Sequence, residues 1–135
     1  HAWDYCHDEV GYNYRMPNIN AALGCAQLEQ LSSKIEAKRA MFSRYQAAFF
    51  GIEGVDLVVE PDGCKSNYWL QTLLLDSGVE SSRDSVLEAT NAVGIMTRPV
   101  WTLMNELSPF KGSPQMNLDV ARSLSQRLIN IPSSE

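Results

Sequence analysis

An apolar stripe with helical spacing runs between residues 19 and 50. That stretch contains no proline, and apolar side chains recur in steps of three, four or seven at Leu28, Leu31, Ile35, Phe42, Tyr45 and Phe49. This spacing predicts a helix, which Gly51 and Gly54 would end. At 1.5 Å per residue, a helix of roughly 30 residues would extend about 45 Å. A helix of that length is typical of one that joins two subdomains or two subunits.

Shorter runs of apolar residues follow this predicted helix. Residues 55–60 form one run, closed by Pro61-Asp62-Gly63, and residues 67–75 form a second that is rich in aromatic and branched side chains. Both are typical of strands. The next stretch predicts a helix over residues 83–93, capped by Ser81 or Ser82 and ended by Gly94, and then a strand over residues 95–100.

The last two predicted elements are a helix over residues 118–128, which Asn117 can cap, and a strand over residues 129–132. Because Pro132 cannot donate a hydrogen bond to a neighbouring strand, we expect this strand at the edge of the sheet. The order of elements predicts an α+β fold, in which a long N-terminal helix accompanies a small, mostly antiparallel sheet backed by helices.

Composition narrows the class of protein. The chain has 135 residues and a net charge of −5, which argues against a broad nucleic-acid-binding surface. No apolar run reaches the roughly 20 residues of a membrane helix. Three cysteines without CxxC spacing favour free thiols in a reducing cytoplasm, with Cys25 packed in a core. Neither an initiator methionine nor a signal-peptide pattern opens the sequence, so we expect the chain to belong to a longer protein.

The segment from Gly11 to Gly24 is the first candidate site. Asn13 carries an amide, Tyr12 and Tyr14 carry rings with hydroxyls, and Arg15 carries a permanent cation. Pro17 suits the first turn of a helix, whose backbone N–H groups have no partners within the helix. An arginine beside such N–H groups favours a bound phosphate or carboxylate.

The segment Thr97-Arg98-Pro99-Val100-Trp101 is the second candidate site, because it places an arginine and an indole at the end of a predicted strand. Two interpretations stand about even. Either Arg98 pairs with a surface carboxylate and Trp101 fills the core, or both contact a ligand. Tyr68 and Trp69 are, on the same grounds, expected to lie in the core.

Other chemistries find little support in the sequence. His1, Cys6 and His7 lack the second cluster of ligands that a structural zinc needs, so we expect no metal site. Both histidines lie within the first seven residues and no nucleophile-elbow turn is present, which argues against a hydrolase triad. The chain also contains no GxxxxGK[ST] or GxGxxG phosphate-binding loop.

Three segments together resemble the DegT/DnrJ/EryC1/StrS sugar aminotransferases. They are residues 7–29, Ser66-Asn-Tyr-Trp69 and Ile95-Met-Thr-Arg-Pro-Val-Trp101. The resemblance covers nearly the whole chain and is closest to the branch that aminates a 4-keto-6-deoxy nucleotide sugar on the way to legionaminic-type sugars. It corresponds to the C-terminal third of the family's proteins. Residues 1–17 would be an active-site loop, and residues 18–135 a small C-terminal domain with an interdomain helix at 19–50.

This resemblance implies a fold-type I enzyme that uses pyridoxal 5′-phosphate (PLP) and acts as a homodimer. The cofactor lysine would precede this chain, since Lys34, Lys38, Lys65 and Lys111 do not match its position, and the chain alone would therefore be inactive. Asn13 matches the asparagine that reaches the PLP phosphate of the neighbouring subunit. Tyr14 and Arg15 flank it and would line the site or anchor the turn.

The same resemblance implies a ping-pong transfer of an amino group, with glutamate as donor and a keto-deoxy nucleotide sugar as acceptor. Arg98 matches a stretch that contacts the nucleotide sugar in relatives. Many relatives carry a Pro-Leu-His motif a few residues later, whereas this chain has Thr102-Leu-Met-Asn-Glu106, which leaves Asn105 at the place of that histidine. The alternative hypothesis is a non-catalytic fragment that acts only as a dimerisation module.

Overall fold

The computed structural model describes residues 9–12, 14–78 and 82–134. The predicted long helix is present as two consecutive helices, α1 (Asn18–Glu29) and α2 (Leu31–Phe49). Gln30 separates them because its backbone, at φ −103° and ψ 1°, lies outside the helical region. Helical hydrogen bonding resumes at once, with the Lys34 N–H donating to the Gln30 carbonyl at 3.1 Å. The helical span was therefore predicted correctly, but not its continuity.

A four-stranded sheet occupies the rest of the chain. Its strands are β1 (Val55–Leu57), β2 (Gln71–Leu75), β3 (Arg98–Pro99) and β4 (Leu128–Ile131), paired in the order β1-β2-β4-β3. Every described pair is antiparallel. Helices α3 (Ser82–Ala92) and α4 (Asp119–Arg127) and two short 3-10 turns, Met104–Glu106 and Ser108–Phe110, complete the fold. The predicted α+β class with a mostly antiparallel sheet is confirmed.

The prediction that the last strand lies at the edge of the sheet is wrong. β4 is an inner strand, hydrogen-bonded to β2 on one side and to β3 on the other. Pro132 follows the strand, so every ladder N–H within Leu128–Ile131 is retained. Pro99 is the proline that lies at an edge, in the two-residue strand β3, where an absent N–H costs least.

The hydrophobic core lies on one face of this sheet. Because side chains alternate between the faces of a strand, alternate residues of β2 and β4 point the same way and pack under α2 and α3. The buried cluster is Leu73, Leu75, Leu87, Ile129 and Ile131, with Tyr45, Phe49, Val55, Leu57 and Val86 packed against it. The opposite face carries Thr72, Asn130 and Arg98 in one row, as the strand register shows.

Helix α1 contributes nothing to that core. None of its twelve residues is buried, and Cys25 is exposed, so the prediction that this thiol packs in a core is wrong. The apolar residues of α1, among them Ile19 and Leu28, lie on different sides of the helix and are exposed within the described residues. No helix in the described part of the chain is long and apolar enough to cross a membrane.

Asn117, the predicted cap of the last helix, lies one residue before the residue that precedes α4. The side-chain oxygen of Asn117 accepts a hydrogen bond from the Asp119 backbone N–H at 2.8 Å, although Leu118 is the residue that precedes the helix. Asn117 therefore satisfies one of the donors at the start of α4. Of the two candidate caps for α3, Ser81 lies outside the described residues and Ser82 is the first residue of the helix.

Candidate functional site

The start of α1 has the features of an anion site. Pro17 precedes the helix in an extended conformation, the first turn contains no acidic residue, and no side chain caps it. Its first N–H groups therefore point away from the helix without a side-chain acceptor. Arg15, two residues before Pro17, is exposed and adds a positive charge. This arrangement favours a phosphate or carboxylate.

The aromatic residues before α1 form a small exposed stack. The ring centroids of Tyr12 and Tyr14 lie 6.2 Å apart, with their planes inclined by 19°, and Tyr14 is 89% exposed. Asn13, the predicted phosphate contact, lies outside the described residues. The described neighbours thus offer Arg15 and open aromatic faces beside the helix start.

Arg98 lies in β3 at the other candidate site. Its side chain is exposed, and Nη2 lies 3.8 Å from the sulfur of Met96. Together with Lys38 and Trp69 it lines a surface cavity of about 580 Å³, whose floor includes residues of β4. The Lys38 ammonium donates to the Ser133 carbonyl. Two cations in one cavity make it suitable for an anionic ligand.

The tryptophans beside Arg98 do not fill the core. Trp69 and Trp101 are 64% and 56% exposed, and their rings stack with centroids 6.3 Å apart and planes inclined by 21°. The expectation that Trp69 is a core residue is wrong. Of the two interpretations of Trp101, the one in which it fills the core is excluded. Tyr68, by contrast, is buried as predicted.

A cluster that the sequence did not predict explains why Tyr68 is buried and Trp69 is not. The Tyr68 ring stacks on Phe42 of α2 at a centroid distance of 4.0 Å, and the Arg39 guanidinium lies 5.2 Å from its centroid. The Tyr68 backbone has a φ of 45°, a left-handed conformation that is costly for a bulky residue. Packing on α2 holds this turn, which leaves the next residue at the surface.

Arg39 of α2 also binds the loop between β1 and β2, through an ion pair. Its guanidinium donates two hydrogen bonds to the Glu60 carboxylate, at 3.1 and 2.5 Å, and one to the Ser66 carbonyl at 2.6 Å. The Ser66 N–H donates to the same carboxylate. The hydrogen bonds from Arg39 and Ser66 lower the pKa of Glu60 to about 2. All of these partners lie within the chain, so we regard the pair as structural.

Asn105 lies apart from Arg98. It is half-buried in the first 3-10 turn and lines a cavity of about 450 Å³ together with Met104, Phe110 and Met116. The walls of this cavity are mainly apolar, which suits a ligand with an apolar surface. Arg98 and Asn105 therefore line different cavities and are not brought together in this chain.

The described residues provide no candidate metal site. His1, Cys6 and His7 lie outside the described residues, and the residues that the structure does describe contain no group of three or more His, Cys, Asp or Glu side chains able to hold a metal ion.

Comparison with known proteins decides which class of protein carries these sites. The model of the DegT/DnrJ/EryC1/StrS aminotransferase family matches residues 1–135. The chain belongs to this family. It is similar to a protein of Bacillus subtilis (strain 168) that carries the name "Putative pyridoxal phosphate-dependent aminotransferase EpsN", with 40% identity over 97 residues, covering 72% of this chain and 24% of EpsN.

A second DegT/DnrJ/EryC1/StrS relative is the GDP-perosamine synthase of Vibrio cholerae. It is 34% identical over 130 residues, which cover 96% of this chain and 35% of the synthase. The chain therefore spans about a quarter to a third of the length of these relatives. Among solved structures, Helicobacter pylori PseC, an aminotransferase involved in the biosynthesis of pseudoaminic acid, has the same fold, with a TM-score of 0.79 at 18% identity over 93% of this chain and 34% of PseC.

The cofactor of this family is PLP, and the start of α1 fits part of it. The donor set there, consisting of backbone N–H groups without a side-chain cap and the Arg15 cation, is chemically suited to a phosphate group. A complete PLP site also needs a lysine, and the described residues near α1 supply none: Lys34 lies in α2, where it donates to Gln27. The residues present therefore suit the phosphate end of the cofactor.

Proposed function

We propose that this chain is the C-terminal third of a PLP-dependent aminotransferase that transfers an amino group, donated by glutamate, to a keto-deoxy nucleotide sugar in surface-polysaccharide or amino-sugar biosynthesis. The family match over all 135 residues carries this proposal. The similarity to a GDP-perosamine synthase over 96% of the chain supports a nucleotide-sugar substrate. The legionaminic-type branch and a cytoplasmic location remain predictions.

In this proposal the segment before α1 binds the phosphate of PLP. Asn13 would donate its amide N–H to a phosphate oxygen of the cofactor held by the partner subunit of a homodimer. The exposed Arg15 and the uncapped helix start support an anion at this place. Tyr14 and Arg15 would also line the substrate side of the site. When bound, PLP supplies the electron sink for amino transfer, and this chain positions its phosphate.

Arg98 and Asn105 would contact the nucleotide sugar from two directions. The guanidinium of Arg98 can donate paired hydrogen bonds to a diphosphate, and its cavity also holds the Lys38 cation. Asn105 can donate and accept at once, which suits sugar hydroxyls. These residues line different cavities. The proposal therefore requires an extended substrate, one part of which contacts Arg98 and another part Asn105.

We further propose that the chain does not act as a catalyst on its own. Of its lysines, Lys34 and Lys38 lie in α2 and Lys65 and Lys111 lie in loops, and none matches the family's cofactor lysine. The isolated chain, mixed with PLP and dialysed, should retain no visible absorbance of bound cofactor. Retention of stoichiometric PLP by the isolated chain would contradict this part of the proposal.

The test of the phosphate contact uses the full-length protein. Replacing Asn13 with Ala removes one donor, and we expect about a tenfold to hundredfold weaker retention of PLP during dialysis, since a hydrogen bond to a charged group contributes about 1.5–3 kcal/mol. The matched control is Gln126→Ala, which removes an exposed amide on α4 and should change nothing. Unchanged retention in Asn13→Ala would disprove the role of Asn13.

The second candidate function is a dimerisation module without catalysis. The exposed apolar residues of α1, among them Ile19 and Leu23, favour it, because contiguous apolar surface commonly marks a protein interface. The full-length protein distinguishes the two candidates. Amino transfer from glutamate to any of a panel of keto-sugar nucleotides supports the aminotransferase, whereas self-association without PLP binding supports the module.

A further inference from the structure

Strand β3, which carries Arg98, is poorly held by main-chain hydrogen bonds. It has only two residues, and the second, Pro99, has no N–H to donate. It pairs with β4 alone, at the edge of the sheet. A strand this short would not by itself hold a long side chain in one direction. Other contacts must therefore fix the segment around Arg98.

Side chains of α3 hold the residue before Arg98. The Asn91 amide donates to the Thr97 carbonyl at 3.0 Å and to the Leu87 carbonyl at 2.7 Å, thereby joining the segment to the last turn of α3. The hydroxyls of Thr90 and Thr97 lie 2.6 Å apart. Thr97 is only 2% exposed. These polar groups satisfy one another in a buried place, where an unpaired donor would be costly.

A second amide holds the segment from the side of β4. Asn130 lies directly opposite Arg98 in the strand register, and its side-chain N–H₂ donates to the Pro99 carbonyl at 3.4 Å. The Asn130 oxygen accepts a hydrogen bond from the Thr72 hydroxyl at 2.9 Å. Two asparagines therefore bind the carbonyls on either side of Arg98.

We infer that Asn91 is a positioning residue for Arg98 in nucleotide-sugar binding. Because successive side chains of a strand point to opposite faces, fixing Thr97 toward α3 directs Arg98 to the open face, beside the cavity that it lines with Lys38 and Trp69. Asn91 reaches no ligand itself in this scheme; it acts through Thr97. The inference rests on the proposed role of Arg98 as a substrate contact.

The test measures binding of nucleoside diphosphates to the full-length, PLP-loaded protein by calorimetry, with GDP, dTDP and UDP as probes. Asn91→Asp keeps the size of the side chain but replaces its donors with oxygens that repel the Thr97 and Leu87 carbonyls. We expect the Kd of the tightest probe to rise about fivefold, as the loss of one net hydrogen bond implies. The rate of the half-reaction with L-glutamate should remain within about twofold, because the role of Arg98 is confined to the nucleotide.

A double-mutant cycle separates positioning from general destabilisation. Arg98→Ala should raise the Kd by itself, and adding Asn91→Asp to it should cause no further rise. Equal effects of Asn91→Asp with and without Arg98 would overturn the inference, as would a loss of the glutamate half-reaction in parallel with nucleotide binding. Asn117→Ala, which disturbs the start of α4 instead, is the matched control and should leave the Kd unchanged.

Three further outcomes are also decisive. If Asn91→Asp does not fold, Asn91→Ala removes the same donors without adding a charge, and a Kd unchanged in that variant overturns the inference. If Arg98→Ala binds the probe normally, the role of Arg98 is wrong and the inference fails with it. If none of the three nucleoside diphosphates binds the unaltered protein, the proposed nucleotide-sugar substrate is wrong.

Discussion

Helix α1 and the sheet both carry apolar residues, but only those of the sheet form a core. In the sheet, Ile129 and the facing Leu87 of α3 have no exposed surface. In α1, Ile19 and Leu23 are 81% and 59% exposed, although they lie four residues apart on the same side of the helix. The sheet with α2 and α3 forms a complete core, whereas α1 presents an apolar surface that no described residue covers.

This difference separates two kinds of apolar residue that look alike in a sequence. Burial of apolar surface stabilises a fold only where a second surface is available to cover it. The sheet with α2 and α3 contains both surfaces, because the strands supply one and the helices the other. No described residue covers the apolar residues of α1. Either proposed function would cover them, with a homodimer partner or with the remaining part of a longer enzyme.

The largest expected effect compares the same substitution in the two regions. Leu87→Ala should lower the free energy of unfolding of the 135-residue chain by about 2–5 kcal/mol, because it leaves a cavity in the core. Leu23→Ala should change it by no more than about 0.5 kcal/mol, because the side chain is exposed. Urea denaturation followed by circular dichroism measures both. Similar losses in the two variants would contradict the comparison.

A smaller effect on stability is expected from the ion pair that joins the loop between β1 and β2 to α2. The pKa of Glu60 is lowered from 4.5 to about 2 by hydrogen bonds from Arg39 and Ser66. A lowered pKa in the folded state means that the ionised carboxylate stabilises the fold above pH 4.5, and that this stabilisation is lost as the pH falls toward 2. Glu60→Gln should therefore lower the urea midpoint at pH 6 and lose this effect near pH 2.

The matched control for this pH experiment is Glu36→Gln, which alters an exposed carboxylate on α2. Its urea midpoint should follow that of the unaltered chain over the whole pH range. A difference between Glu60→Gln and the unaltered chain that does not shrink between pH 4.5 and 2 would mean that the ion pair with Arg39 is not its source.

The smallest effect tests whether the α1 surface becomes covered. Cys25 on α1 and Cys64 in the loop after β1 are both exposed thiols, so both should react with a thiol reagent without denaturant. If the chain associates through α1, raising its concentration should slow the reaction of Cys25 and leave that of Cys64 unchanged. Leu23→Glu should abolish the slowing, since a charge on an apolar interface is costly. Equal rates at every concentration would argue against association through α1.

The candidate sites could be predicted only in part, because some of their features are local in sequence and others depend on contacts between distant residues. Arg98 and the start of α1 could be named as candidate sites because a charge after an apolar run, and an arginine just before a proline that begins a helix, are local features. The exposure of Trp69 was not, because it depends on the packing of Tyr68 against Phe42, which lies 26 residues earlier in the chain. The Arg39–Glu60 pair and the contacts of Asn91 with Thr97 likewise join residues whose proximity no local pattern indicates.

The sequence by itself determined the α+β class, the extent of the helices and strands to within a few residues, and the family, since each depends on local periodicity or on motifs. Only the tertiary structure decided that β4 is an inner strand, that the long helix is interrupted at Gln30, that Cys25 and Trp69 are exposed, and that Arg98 and Asn105 line different cavities. Strand order and burial depend on which surfaces meet, and contacts between distant residues set them.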